Sequence, residues 1–173
     1  MIPYVSQFDF DYGRCDQVSP LIQRIICANP GPFTYTGTAT FIVGRPEAGS
    51  KVAVIDPGPV DDAHLQALIE ALDGRTVSHI LVTHRHRDHA PLSRPLAERI
   101  GNPPIYATAS TRLPTYVSGP LDEDVDHDFT PSHALSDGQI ITGDGWTLEA
   151  ILTPGHSSDH VVFELREESA LFS

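Results

Sequence analysis

The sequence predicts a mixed α/β domain. Short stretches rich in Val, Ile and Phe recur with turn residues between them, as strands do. Between two of these stretches, leucines repeat at helical spacing. A strand–helix–strand beginning followed by further strands argues for sheet faces covered by helices. A chain of 173 residues suits one domain, 1–173, and can bury a reasonable core.

Each element follows from its residues. Positions 21–27 (LIQRIIC) and 38–43 (TATFIV) read as strands, and 51–56 (KVAVID) as a third that stops at Pro57-Gly58. Over 61–74 (DDAHLQALIEALDG), Leu65, Leu68, Ile69 and Leu72 share one helical face. Asp61 or Asp62 can cap the start of that helix and Gly74 can end it. The apolar run 77–84 (VSHILVTH) reads as a strand that ends in a histidine cluster. A second helix is expected over 91–100, with Pro91 in its first turn. Positions 105–107 suit a short strand, and 108–137, rich in Pro, Ser, Thr and Asp, a long loop. Strand character returns at 146–152, 160–165 and 170–172, with Trp146 assigned to the core.

Composition narrows the partners. The formal charge of −12, from 23 acidic and 11 basic residues, disfavours nonspecific binding to phosphate backbones, so a small-molecule substrate is expected rather than nucleic acid. No run of eighteen apolar residues is present, so no membrane partner is expected. The N-terminal MIPYVSQFDFDYGRCD has no basic-then-apolar pattern, and there are only two cysteines, Cys15 and Cys27. Both observations favour reduced thiols in a cytoplasmic protein.

The excess that calls for an explanation is histidine. Five of nine, His84, His86, His89, His156 and His160, fall in THRHRDH (83–89) and TPGHSSDH (153–160). If the preceding strand stays extended, His84 and His86 point the same way and converge on one cation. Asp88 and His89 then offer a carboxylate and an imidazole to a second. Such donors suit Zn²⁺ best, with Fe²⁺ and Mn²⁺ as alternatives. Pro154-Gly155 turns the chain after a strand and presents His156 as a third ligand. His160, at the start of the next strand, is read as structural, and His64, His79, His127 and His133 as ordinary polar residues. Arg85 and Arg87 either favour an anionic substrate or point to solvent. The run LDEDVDHD (121–128) is a lid or a solvated loop, and Phe33, Tyr35 and Tyr116 line a pocket or pack in the core.

These motifs resemble those of the metallo-β-lactamase superfamily. THRHRDH matches its T-H-x-H-x-D-H signature, VIDPG (54–58) its first strand–turn, and TPGHSSDH its later histidine loop. NPGPFTYTGTATFIVG (29–44), VAVIDPGP and ALFS are similar to the β-lactamase-like hydrolase subgroup, some of whose members act on RNA. The resemblance implies an αββα sandwich, here apparently truncated before its second half. It implies that His84, His86 and His156 hold one metal, and Asp88 and His89 a second. One or two zinc ions are expected per complete domain. Asp88 would also be catalytic, positioning or deprotonating a metal-activated water that attacks an ester, thioester or lactam-like carbonyl. Asp56 would orient the histidine loop, or simply form a turn, and Thr83 would close that loop by hydrogen bonding. Phosphodiester or RNA hydrolysis on the same fold is the alternative, and an inactive scaffold is another.

The family continues after ALFS with Gly-Asp and a later histidine, neither of which is in these 173 residues. At most one well-held metal is therefore expected here. Half of a two-sheet fold would leave an apolar sheet face in water, so a homo-oligomer is expected to cover it.

Overall fold

The structure, a computed structural model, describes residues 9–109 and 125–173. Tyr116 and the first part of the acidic run, 121–124, lie outside the described residues. Eleven strands and two helices follow the order β1 (Asp16–Ser19), β2 (Ile22–Ile26), β3 (Ala39–Val43), β4 (Lys51–Ile55), α1 (Asp62–Ala71), β5 (Thr76–Leu81), α2 (Ser93–Arg99), β6 (Ile105–Thr108), β7 (His133–Leu135), β8 (Gln139–Gly143), β9 (Trp146–Leu152), β10 (Val161–Leu165) and β11 (Ala170–Phe172). They form a seven-stranded sheet in the order β1 to β7 and a four-stranded sheet in the order β11-β10-β9-β8. The first sheet is antiparallel from β1 to β4 and parallel from β4 to β7.

Strand alternation builds two cores, one on each face of the large sheet. In β3 and β4, Val43, Ala53 and Ile55 face the small sheet, where Leu148, Ala150, Val161, Phe163 and Leu165 meet them. Their neighbours Ile42, Val52 and Val54 face the helices and pack on Leu68, Leu72, Leu92 and Leu96. Each fully buried Leu, Ile or Phe contributes about 1.5–3 kcal/mol. Trp146 is buried as expected and donates from Nε1 to the Lys51 carbonyl at 3.0 Å. Gly143 lies against its ring so closely that a Cβ there would sit 2.1 Å from Cε2, which only glycine avoids.

Several expectations need correction. The helix expected over 61–74 covers 62–71, with the Asp61 side chain accepting from the His64 amide at 2.7 Å. The second helix starts at Ser93, so Pro91 precedes it and Pro95 is the proline of its first turn. β7 lies inside the stretch expected to be a loop, and β1 and β8 carry no assignment from sequence. These strands are short and show no sustained apolar run, and what makes them strands is a neighbour that supplies the ladder. The strand before the histidines ends at Leu81, three residues short of the expected His84.

The packing argument for a homo-oligomer also changes. The inner face of the large sheet, expected to be bare, is already covered by β8 to β11. What remains exposed is the outer side of the small sheet, with Ile140 and Leu171 in solvent. None of the helices is long and apolar enough to cross a membrane among the described residues.

Candidate metal centre

The site forms where β5 leaves the large sheet. The strand itself ends at Leu81, yet burial still alternates beyond it, with His84 and His86 buried and Arg85 partly exposed between them. Beyond them residues 87–89 turn tightly, with the amides of His89 and Ala90 donating to the His86 carbonyl at 3.0 and 3.1 Å. His86 also forms an isolated bridge with Val125, the first described residue of the acidic run. From the small sheet, the loop after β9 brings His156 to the same place. Its base is tied to the first loop by the Val161 amide donating to the Thr83 carbonyl at 2.9 Å.

The donor nitrogens of His84, His86 and His156 all lie within 4.8 Å of one another. Their ring centroids are 4.5, 4.9 and 4.8 Å apart, pairwise. His84 Nε2 is buried without a hydrogen-bond partner. An orphaned imidazole nitrogen of this kind is costly unless something occupies the space in front of it. A divalent cation fits that donor set, and no other partner for Nε2 is present among the described residues. Burial, then the charge of His89, holds the His84 imidazole far down, at about 3. Burial, then His156, likewise lowers His86. Both rings are therefore neutral at ordinary pH, the state that binds metal.

Asp56 organises this loop. It sits at the end of β4 with φ of +50°, a backbone conformation that non-glycine residues seldom adopt. Its Oδ1 accepts from the Thr83 amide at 2.8 Å and its Oδ2 from the Thr83 hydroxyl at 2.7 Å. Thr83 Oγ1 in turn lies 2.9 Å from His84 Nδ1, which leaves Nε2 facing the cluster. The reading of Asp56 as a mere turn residue therefore gives way to that of an orienting carboxylate.

Asp88 and His89 meet each other at the edge of the three-histidine group, with the His89 ring 4.3 Å from that of His84. His89 Nε2 is 3.2 Å from Asp88 Oδ2, while His89 Nδ1 lies 2.8 Å from Asp56 Oδ2. Burial lowers the His89 imidazole, but the two carboxylates overcome it and raise the ring to about 10. Asp88 shows the converse: burial raises it, and His89 with Thr38 brings it down to about 2. Asp56 is lowered too, because His89 and Thr83 outweigh burial. His160 turns its Nδ1 to Thr153 Oγ1 at 2.8 Å, and burial lowers it. It stands outside the three-histidine group, as do His64, His79, His127 and His133.

The two arginines of THRHRDH part company. Arg85 is largely buried beside Asp159, whereas Arg87 is exposed and lines a cavity of about 300 Å³ with Phe33, Thr34 and Asp88. A neighbouring cavity of about 320 Å³ includes Phe33, Phe41, Asp56, Asp88 and His89. Phe33 is 88% exposed and Tyr35 69%, so neither is a core residue. In the described part of the acidic run, Val125 is buried, while His127 and Asp128 are in solvent.

Sequence reasoning missed Asp159 and Thr38. Asp159 is buried, and the Arg85 it pairs with lies 74 positions away, so no local spacing announces it. Thr38 was read only as part of a strand, yet its hydroxyl donates to Asp88 at 3.2 Å.

Comparison with known proteins places this geometry. The chain is 36% identical over 163 residues to an atrochrysone carboxyl ACP thioesterase from Cryptosporiopsis sp., covering 91% of this chain and 44% of that protein. It is 32% identical to the beta-lactamase-like protein 2 homolog of Caenorhabditis elegans, covering 91% of this chain and 50% of that one. The chain thus spans about half the length of these relatives. Among solved structures, a beta-lactamase domain protein from Burkholderia ambifaria superposes with a TM-score of 0.71 at 20% identity, over 97% of this chain and 56% of that one. A metallo-beta-lactamase from Cronobacter sakazakii gives 0.67 at 18% identity, over 91% and 62%. These establish the same fold. The model of the metallo-beta-lactamase superfamily matches residues 34–173, and the chain belongs to that family.

Proposed function

We propose that the protein containing this chain is a metal-dependent hydrolase of thioester or ester substrates, with His84, His86 and His156 as the ligands of a zinc ion. The observation that carries this reading is the convergence of three imidazoles on a buried, unpartnered His84 Nε2. A cation bound there supplies Lewis acidity, which polarises a carbonyl and acidifies water. The thioester class is favoured because relatives from Cryptosporiopsis sp. and Paecilomyces divaricatus are named atrochrysone carboxyl ACP thioesterases. A net charge of −12 weighs against a polyanionic substrate.

The chain's own groups divide the work. Asp56 and Thr83 fix the His84 ring so that Nε2 serves the centre. Asp88, ionised at neutral pH, is a weak base but a strong hydrogen-bond acceptor, so its role is to hold and orient the attacking water. Asp56 takes the Nδ1 side of His89, leaving Nε2 as the only nitrogen available to a second cation. That nitrogen now faces Asp88, and a second cation must separate the two. One tightly held ion per chain is the expectation.

The test is elemental analysis of the purified protein, joined to hydrolysis assays with an acyl thioester and a generic phosphodiester. Thioester hydrolysis that is lost on chelation and in His84→Ala supports the reading. Hydrolysis confined to the phosphodiester, or insensitive to chelation, overturns it.

A further inference from the structure

His156 is the exposed member of the three-histidine group, yet the residues that follow it are anchored deeply. Ser157 and Asp159 are 7% and 3% exposed. Asp159 Oδ1 accepts from the Ser157 hydroxyl, directly after His156. Its Oδ2 accepts from the Arg85 amide at 3.3 Å and lies 3.2 Å from Arg85 Nε. The Nε contact lacks hydrogen-bond alignment, so the guanidinium contributes charge pairing there. The Asp159 carbonyl accepts from the Thr108 hydroxyl at the end of β6. Arg85 stands between His84 and His86, and its own carbonyl accepts from the Asp126 amide at 2.7 Å.

The buried carboxylate of Asp159 therefore touches both histidine loops, and its backbone carbonyl holds the end of β6. The remaining bonds of the 153–160 loop are local. Gly155 and His160 amides both donate to the Ser157 carbonyl, and Thr153 pairs with His160. Those bonds shape the loop but do not aim it. Apart from the Val161–Thr83 bond at its base, the contact that sets its direction towards His84 and His86 runs through Asp159. A buried ion pair is poor evidence for stability, since apolar replacements often serve as well. Its value is geometric.

We propose that Arg85 and Asp159 form a buried clamp that positions His156 against His84 and His86. The proposal rests on reading those three as metal ligands, and it makes Asp159 a positioning residue rather than a ligand. It also accounts for one of the two arginines between the histidines of THRHRDH: Arg85 belongs to the loop-to-loop clamp.

The test compares Asp159→Ala, Asp159→Asn and Arg85→Met with the unaltered protein, each with and without His156→Ala. Two quantities are read: zinc affinity by competition with a chromophoric chelator, and amide hydrogen exchange of the metal-free protein. Losing a partner that orients a ligand typically weakens metal binding about 10–100-fold. A loss at the lower end of that range, up to about tenfold, is expected for Asp159→Ala when His156 is present, and it should shrink to about twofold or less when His156 is already alanine. Exchange at 155–158 should quicken about tenfold while Leu148 and Phe163 in the small sheet stay protected. Asp159→Asn keeps one acceptor oxygen and should fall between the two, and it serves if the alanine variant does not fold. An equal loss of zinc in both backgrounds, or unchanged loop exchange, overturns the clamp. If the unaltered protein binds no zinc, the metal reading fails, and the exchange result alone decides whether Asp159 aims the loop.

Discussion

The two histidine loops are built to different standards. His84 and His86 are buried, and the loop that carries them is cross-braced by Asp56, Thr83 and the turn at residues 87–89. His156 is exposed on a loop shaped by short-range bonds and tethered at Asp159. Ligand nitrogens about 2.0–2.1 Å from a tetrahedral ion stand roughly 3.3 Å from each other. A pair at the 4.8 Å limit of this cluster must therefore close by about 1.5 Å. The exposed His156 side chain is the one with open space around it. The difference teaches that two ligands are preorganised and the third is delivered.

This contrast can be broken in order of effect. The largest concerns the brace. Asp56→Ala leaves His89 without the buried carboxylate opposite its Nδ1, and should cost about 3–5 kcal/mol of stability by chemical denaturation. A cost no larger than that of a surface substitution would mean the first loop is not braced by Asp56.

Ligand removal comes next. His84→Ala should weaken zinc binding on the order of 100-fold or more, since losing a ligand costs at least as much as losing its orienting partner. His156→Ala should weaken it less, about tenfold, because fixing an exposed side chain offsets part of its contribution. Equal losses, measured by the same competition titration, would erase the distinction between the loops.

The pH response of the metal-free protein sharpens the picture further. His89 lies above its ordinary value, so its pairing stabilises fully below about pH 6.5 and is lost as pH rises through about 10. Asp56 lies below its ordinary value, so its contribution is present above about pH 3.9 and fades as pH falls through the lower folded value. The thermal midpoint should thus decline on both sides of neutrality by several degrees, at about 2–4 °C per kcal/mol. Asp56→Asn should flatten the alkaline decline. The smallest effect is expected at Leu171→Ser on the exposed edge strand, within about 0.5 kcal/mol in a monomer. A larger change that depends on protein concentration would show that this face pairs with a second copy.

Much of this was legible in the sequence because it is written in local spacing. The leucines of α1, the apolar runs of β2 to β5, and the pairing of His84 with His86 all follow from near neighbours, whereas distant His156 is joined to them through the turn at Pro154-Gly155 and the family resemblance. The misses share a cause. β7 is only three residues long, too short for a pattern to show, and is a strand because β6 lies beside it. Asp159 acquires its meaning only when Arg85 folds against it. His84 and His86 are grouped by alternation, and their rings do come within 4.5 Å, although the strand itself ends at Leu81.

The central claim is that imidazoles from both loops close on one cation. X-ray absorption at the zinc edge of the loaded protein tests it most directly. The account predicts three imidazole nitrogens at about 2.0–2.1 Å, falling to two in His156→Ala. A spectrum that is unchanged by His156→Ala, or that shows only oxygen or sulfur neighbours, would contradict it.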